Sequence, residues 1–141
     1  MQAQLWSARA LMIWSIWGTT LACGDDPVGP PEQAVVGNYR ATEWRATTGG
    51  TTTDQLAAGA SITLRLSENG TTSGQLIMPG RPIASLSGTW VLSGATVTLM
   101  HSADTFLRDL PLQVRGNVLA GDRTFDDGDS PTRVQLTLTK Q

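Results

Sequence analysis

The sequence has a single cysteine and a single histidine, and its aromatic residues make up only 6% of the chain. One cysteine cannot form a disulfide within the chain, so a disulfide-stabilised extracellular scaffold is excluded. No set of Cys and His residues has the spacing of a zinc site. We therefore expect a fold that depends on its apolar core, with no metal and no cofactor.

The sequence also lacks any run of basic residues. Its ten Lys and Arg residues are scattered singly among twelve Asp and Glu residues, and the formal net charge is -2. Nucleic-acid binding depends on clustered Lys and Arg, so we expect no nucleic-acid partner. No glycine-rich loop lies between a strand and a helix, which argues against a phosphate-binding loop.

The apolar run at the N-terminus, ALMIWSIW at residues 10–17, is too short to span a bilayer comfortably. A spanning helix needs about 20 residues. The run follows Arg9 and precedes the small residues of positions 19–22. A positive charge, a short apolar stretch and a small-residue end are typical of a secretory signal. The sequence therefore predicts a signal helix at residues 1–22.

Cys23 directly follows this segment. The residues Leu21, Ala22 and Cys23 resemble a bacterial lipobox, although Thr20 stands where that pattern has a branched apolar residue. The resemblance implies cleavage before Cys23 and acylation of its thiol, which would anchor the protein to a membrane of the cell envelope, on the periplasmic face or the cell surface. The alternatives are ordinary secretion with a free thiol and retention of an uncleaved anchor.

Residues 23–34 contain the sequence GDDPVGPPEQ, which is rich in Gly, Pro and acidic residues and has no periodicity. This composition is typical of an extended, solvated linker. Residues 35–141 are expected to form a single domain, because their length suffices for one closed core.

From residue 35 onward, short stretches of alternating apolar and polar residues are separated by turn residues, which predicts an all-β domain. The eight expected strands are 37–45, 61–67, 72–78, 83–92, 95–101, 105–114, 117–123 and 133–139. Residues 47–53 are expected to form a loop. Asn69-Gly70 predicts a type I′ turn and Gly116-Asn117 a type II′ turn. Pro111 marks a bulge, break or edge, because it cannot donate to a ladder.

Short connections between successive strands predict an up-and-down meander. Eight such strands close most simply into an antiparallel barrel in which the first and last strands pair. The interior of an eight-stranded barrel is either filled by side chains or holds one small ligand. A β-sandwich is the alternative fold, but it needs long crossover connections that this chain does not offer.

Three segments carry a resemblance to a known family: GNYRATEW at 37–44, ENGT at 68–71 and SGTW at 87–90. Together they resemble the Gly-x-Trp opening and the strand layout of small bacterial lipocalin-like lipoproteins. Tyr39 stands where the opening motif usually has Trp. The resemblance covers residues 35–141 and implies a calyx-like barrel that binds lipids or other small apolar molecules.

The large apolar and aromatic residues of the predicted strands are candidates for lining a ligand pocket, because small-molecule sites use such linings. The same side chains would equally build an ordinary core. The candidates are Tyr39, Trp44, Leu64, Met78, Trp90, Leu99 and Phe106.

Two further groups of residues are of types that can carry chemistry. His101 lies beside Ser102 and Asp104, but residues so close on one turn rarely converge as a catalytic triad, so we expect an exposed turn histidine. The acidic run at residues 126–129 lacks the ligand spacing of a calcium-binding loop and is expected to form a turn. We therefore expect no enzymatic activity.

These observations favour a lipid-anchored β-barrel that binds a small hydrophobic molecule. The competing hypothesis is a filled barrel that acts as an envelope structural, interaction or inhibitor domain through its surface loops. A continuous cavity would favour the first hypothesis. A packed interior with an exposed apolar patch would favour the second.

Overall fold

The computed structural model of the protein describes residues 29–126 and 128–141. The predicted signal segment and Cys23 lie outside the described residues, as does the linker up to residue 28. The described chain forms a helical turn, ten strands and a 3₁₀ helix. They are α1 (Glu32–Val35), β1 (Gly37–Thr48), β2 (Thr51–Asp54), β3 (Ser61–Leu66), β4 (Thr71–Ile77), β5 (Ala84–Ser85), β6 (Gly88–Ser93), β7 (Thr96–His101), the 3₁₀ helix (Phe106–Asp109), β8 (Leu112–Arg115), β9 (Val118–Asp126) and β10 (Pro131–Lys140).

The strands form an antiparallel meander that closes into an eight-stranded barrel, as the sequence predicts. β1, β3, β4, β6, β7, β8, β9 and β10 pair in chain order, and β10 pairs with β1 to close the ring. The closing seam runs from Tyr39 opposite Lys140 to Thr48 opposite Thr132. Closure leaves no barrel edge unpaired, and the sandwich alternative is not adopted.

The alternation of the sequence is the reason these strands close around one core. On β3, Ile62, Leu64 and Leu66 are buried while the residues between them are not. β10 repeats the pattern with Val134, Leu136 and Leu138. Each fully buried side chain of this size contributes about 1.5–3 kcal/mol relative to its exposed state. The inward faces of all eight barrel strands therefore supply a single hydrophobic cluster.

The two ends of the barrel differ. At the closed end, where β1 begins and β10 ends, α1 packs over the core: Val35 is fully buried, and its carbonyl oxygen accepts a 2.6 Å hydrogen bond from the Tyr39 hydroxyl. Lys140 Nζ donates to the Ala34 carbonyl at 3.1 Å. We call the opposite end, where β1 and β4 end, the mouth. Among the described residues, no helix has the length and apolar character needed to cross a membrane.

β1 contains a bulge that simple alternation does not predict. Its register against β10 shifts between Ala41 and Glu43, which leaves Thr42 as the extra residue. The extra residue reverses the side-chain phase, so Glu43 stays exposed and Trp44 turns into the core. A polar residue at an expected inward position, followed directly by tryptophan, is the sequence signal for this bulge.

The expected strand at 105–114 is wrong in its first half. Residues Phe106–Asp109 form the 3₁₀ helix, and β8 begins only at Leu112, after Pro111. Leu107 and Leu110 are both buried. Their spacing of three residues suits a helical turn, whereas a strand would place them on opposite faces. β7 and β8 share only two residue pairs, and the 3₁₀ helix fills the gap above them.

Three smaller expectations also need correction. The loop expected at 47–53 is a hairpin of β1 and β2, and threonines on both strands hydrogen-bond across it. The strand expected at 83–92 is interrupted at Leu86 and Ser87, although one register against β4 continues on both sides. Asn69 keeps a negative φ, so its turn is not type I′ and only Gly70 takes a positive φ.

Candidate functional site

A pocket of about 600 Å³ opens at the mouth of the barrel. β1, β4, β5, β9 and β10 contribute residues to it, and the segment that includes the 3₁₀ helix forms one side. We call it the mouth pocket. Its volume lies within the range of about 300–1,000 Å³ that is usual for small-molecule sites. The apolar lining residues are Ala46, Leu76, Met78, Pro82, Ala84, Phe106, Phe125 and Val134.

Aromatic rings organise the floor and one wall of the mouth pocket. The Phe106 ring lies 5.3 Å from the Trp44 ring between centroids, and 6.4 Å from the Phe125 ring in an edge-to-face arrangement. Aromatic pairs at such distances gain about 0.5–1.5 kcal/mol beyond their area burial. Trp44 is buried behind Phe106, so the pocket wall rests on the core itself. This support makes the wall preformed.

Charged side chains hold the 3₁₀ helix against the rim of the mouth pocket. Arg108 contacts Asp104 at 3.0 Å and Asp109 at 3.5 Å. Arg123 on β9 donates a hydrogen bond to the carbonyl oxygen of Asp109 and lies 5.4 Å over the Phe125 ring. A single exposed ion pair contributes little stability, but together these contacts hold the 3₁₀ helix in place. This helix forms the side of the pocket that the sequence predicted as part of a strand.

His101 lies behind the same wall, and the expectation of an exposed turn histidine is wrong. It is the last residue of β7 and is only 7% exposed, because it continues the inward positions of Val97 and Leu99. Its Nε2 lies 2.7 Å from the hydroxyl oxygen of Thr105, which lines the pocket. Its Nδ1 is buried and has no hydrogen-bond partner among the described residues.

The environment of His101 disfavours its protonated form. Burial lowers the pKa of the imidazole below its ordinary value of 6.5, and the nearby Arg108 charge lowers it further, while Asp109 acts in the opposite direction. Asp104 is bound by Arg108, and within the described residues neither Asp104 nor Ser102 is hydrogen-bonded to His101. The geometry is that of a neutral buried imidazole, not of a triad.

This lowered pKa predicts a pH-dependent stability. As the pH falls below about 6.5, the unfolded chain takes up a proton on His101 before the folded chain does, so the free energy of unfolding decreases. Above that pH the contribution is fully present. In the His101→Gln variant, we expect the free energy of unfolding from urea titrations to lose its slope between pH 6.5 and 5.

Asp122 provides the control for this measurement. Arg133 donates two hydrogen bonds to its carboxylate, at 2.9 and 2.6 Å, and these bonds lower the pKa of Asp122 below its ordinary value of 3.8. Its stabilising contribution is therefore lost only as the pH falls below about 3.8. Asp122→Asn should leave the slope between pH 6.5 and 5 intact. An unchanged slope in His101→Gln would contradict the assignment to His101.

The structure places the seven candidate lining residues in two groups. Met78 and Phe106 line the mouth pocket, with Trp44 directly behind Phe106. The other four, Tyr39, Leu64, Trp90 and Leu99, are buried in the core. Trp90 lies toward the closed end, where its indole N–H donates to the Ser67 carbonyl at 2.9 Å. Whether a ligand reaches them stays a prediction.

Several pocket residues could not be recognised from the sequence. Thr105 and Asp109 belong to the segment read as a strand, and Phe125 lies beyond the expected end of the seventh strand. The apolar Phe125 next to the acidic run was a usable signal, because phenylalanine is among the residue types most often buried. Nothing in the sequence pattern indicated that Thr105 would bond to His101.

Further concave surfaces have different linings. One, of about 490 Å³, lies where β1 begins and β3 ends, and two lie on the outer wall of the barrel. One, of about 350 Å³, is lined mainly by polar side chains such as Glu43, Gln113 and Asp122. The other, of about 460 Å³, follows β1, β3 and β4 and is bordered by Arg40 and Arg65. Tyr39 lines one of the outer-wall surfaces, but none of the three has the pair of adjoining aromatic rings found in the mouth pocket, so the mouth pocket is the candidate for apolar ligands.

The acidic loop between β9 and β10 includes Asp127, which lies outside the described residues. Among residues 29–126 and 128–141, no three His, Cys, Asp or Glu side chains are gathered as metal ligands. Comparisons of the chain with protein-family models, with curated proteins and with solved structures give no match.

Proposed function

We propose that the protein is an exported, lipid-anchored β-barrel that binds a small hydrophobic molecule in the mouth pocket. The observation that carries this proposal is a preformed pocket of about 600 Å³ with an apolar, aromatic wall at the open end of the barrel. Apolar pockets of this size with a few polar groups are the usual form of small-molecule sites.

The path of the chain supports this arrangement. Gly29 packs against the backbone of Gly94, in the turn between β6 and β7 at the closed end. An acylated Cys23 is only six residue steps from Gly29. Six residues span at most about 20 Å, which is less than the roughly 25 Å height of a barrel with ten-residue tilted strands. The lipid would therefore hold the closed end near the membrane and leave the mouth open to solvent.

A pair of methionine variants tests ligand binding at the mouth. Met78 is half-buried against the core and lines the pocket, whereas Met100 is 48% exposed on the outer face of β7. Met78→Asp places a charge on the apolar wall. We expect it to weaken binding of the neutral fluorescent probe N-phenyl-1-naphthylamine by tenfold or more, because burying a methionine is worth about 1.5–3 kcal/mol.

Met100→Asp makes the same chemical change outside the pocket and should leave probe affinity within about twofold of the wild type. Probe fluorescence titrations on both variants, each verified as folded by circular dichroism, check this expectation. Equal affinity for the two variants would place the binding site elsewhere, and no probe binding by the wild-type chain would reject the proposed function.

Acylation has its own test. We expect Cys23→Ser to abolish incorporation of labelled fatty acid and to move the protein from the membrane fraction to the soluble fraction of the producing cells. Mass spectrometry of the mature N-terminus checks the same point directly. A membrane-associated Cys23→Ser protein with an unprocessed N-terminus would support the uncleaved anchor instead.

A second candidate function, an envelope interaction domain with a filled barrel, has one observation in its favour. Val91 and Met100 occupy diagonal outward positions on β6 and β7, and each is 48% exposed. Exposed apolar side chains that adjoin are a common mark of protein contact. If the wild-type chain binds no apolar probe while Val91→Asp disrupts an association with another envelope protein, this second candidate is the function.

A further inference from the structure

The polar group that matters most in the mouth pocket is the hydroxyl of Thr105. Thr105 is 8% exposed, precedes Phe106 on the aromatic wall, and its hydroxyl makes one hydrogen bond among the described residues, to His101 Nε2 at 2.7 Å. A hydroxyl can donate one hydrogen bond and accept others. Because Thr105 lines the mouth pocket, a ligand bound there can use the remaining capacity of the hydroxyl, and whether the hydroxyl donates or accepts depends on which imidazole nitrogen carries the proton.

Two tautomers of neutral His101 fit the 2.7 Å contact. If Nδ1 carries the proton, Thr105 donates to Nε2, and the buried Nδ1–H has no acceptor among the described residues. If Nε2 carries the proton, Nε2–H donates to the Thr105 oxygen, and the only unpaired group on the ring is the Nδ1 lone pair. The hydroxyl proton of Thr105 can then be donated to a group in the pocket. Buried donors without partners are rarer than buried acceptors without partners. This comparison favours the second tautomer, and a ligand oxygen that accepts the hydroxyl proton in the pocket stabilises it further against the first.

The charges at the rim indicate which acceptor is favoured. Asp104 and Asp109 both contact Arg108, and Arg123 donates a hydrogen bond to the carbonyl oxygen of Asp109, so two guanidinium groups offset the two carboxylates. Arg81 also lines the pocket, and among the described residues no carboxylate lies within ion-pair distance of it. A guanidinium at the edge of an apolar pocket favours an anionic head group with oxygen atoms.

We propose that the mouth pocket binds an amphiphile with an apolar body and a carboxylate head. The carboxylate accepts a hydrogen bond from the Thr105 hydroxyl and faces Arg81. His101 is a positioning residue that holds this hydroxyl as a donor. The inference rests on the proposed function, since it names the ligand class of the same pocket. It adds a specific polar contact and a coupling between ligand binding and the tautomer of one imidazole.

Because His101 is the only histidine, the full chain labelled with ¹⁵N-histidine reports this tautomer without assignment. In lipid nanodiscs at pH 7.5, we expect octanoate to shift the imidazole signals toward the form with a proton on Nε2. Octyltrimethylammonium, which has the same chain length and a positive head, should bind at least tenfold more weakly and leave the tautomer unchanged.

Two variants test the role of the hydroxyl. Thr105→Val is nearly isosteric and removes it, and we expect octanoate affinity to fall about tenfold or more, because hydrogen bonds to charged groups are among the stronger ones. Thr105→Ser keeps the hydroxyl and should restore most of the affinity. Thr105→Val should change the affinity of neutral N-phenyl-1-naphthylamine by less than about threefold, which separates the loss of a specific contact from misfolding.

The outcomes distinguish this inference from the proposed function. If octanoate and octyltrimethylammonium bind equally and the tautomer does not change, the carboxylate inference is wrong while an apolar pocket stands. The same conclusion follows if the neutral probe binds and neither amphiphile does. If none of the three compounds binds the wild-type chain, both proposals fail.

Discussion

Replacing Gly74 with alanine is expected to destabilise the barrel by about 3–5 kcal/mol. Gly74 lies in the middle of β4 with φ +144°, a backbone conformation that residues with a Cβ rarely adopt. A Cβ at this position would overlap the carbonyl oxygen of Thr63 on the neighbouring strand. Backbone strain of this kind costs about 1–3 kcal/mol and overpacking about 1–3 kcal/mol more.

Gly80 is the matched control for this substitution. It has φ +72°, but an added Cβ would meet no atom within 4 Å. Gly80→Ala should therefore cost only the backbone strain, about 1–2 kcal/mol. Urea unfolding curves for both variants give the comparison. Equal losses at the two positions would mean that β4 and β3 do not approach as closely as the structure shows.

A second large effect is expected at the closing seam of the barrel. Leu138 is fully buried on β10 and lies opposite both Ala41 on β1 and Leu119 on β9. Leu138→Ala removes three carbon atoms from this seam, where strands on both sides limit how far the cavity can collapse. We expect a loss of about 2–5 kcal/mol in the free energy of unfolding.

Ile83→Ala is the control for the seam variant, because it removes the same number of carbon atoms from a side chain that is 59% exposed. Its expected cost is below about 1 kcal/mol, as for most surface substitutions. Both values come from the same urea titrations. Comparable losses for the two variants would argue that β10 does not pack against β1 to close the barrel.

The closed barrel itself could be predicted from the sequence, because most strands carry a clear alternation and most successive strands are joined by short connections. β3, with Ile62, Leu64 and Leu66 inward, shows this most simply. Pairing in chain order then follows, and closure of the first strand on the last removes the remaining edges. The turn at Gly116-Asn117 was also placed correctly, with Arg115 opposite Val118.

What the alternation could not predict are the departures from it. The extra residue Thr42 changes the phase of β1 without any change in composition. Strict alternation from Tyr39 and Ala41 would put Glu43 inward, whereas the structure puts Trp44 there. The 3₁₀ helix was not predicted because Phe106 and Leu107 are residue types that are common in strands. Only the three-residue spacing of Leu107 and Leu110 indicates a helical turn. Pro111 was recognised as a break, but not as the boundary between a helix and a strand.

The candidate site, too, could be predicted from the sequence only in part. Met78 and Phe106 were named from their type and position, and both line the mouth pocket. Thr105 and His101 were not, because their relation depends on how the 3₁₀ segment folds across the gap beside β7. The inward position of His101 could have been read from Val97 and Leu99, two and four residues before it.

We expect the mouth pocket to hold a small apolar molecule, and native mass spectrometry of the full chain from its own organism is the decisive measurement. We predict a wild-type protein that retains a small bound molecule, a Met78→Asp variant that has lost it and a Met100→Asp variant that keeps it. A wild-type protein found only without ligand, even after incubation with octanoate and N-phenyl-1-naphthylamine, would contradict this expectation.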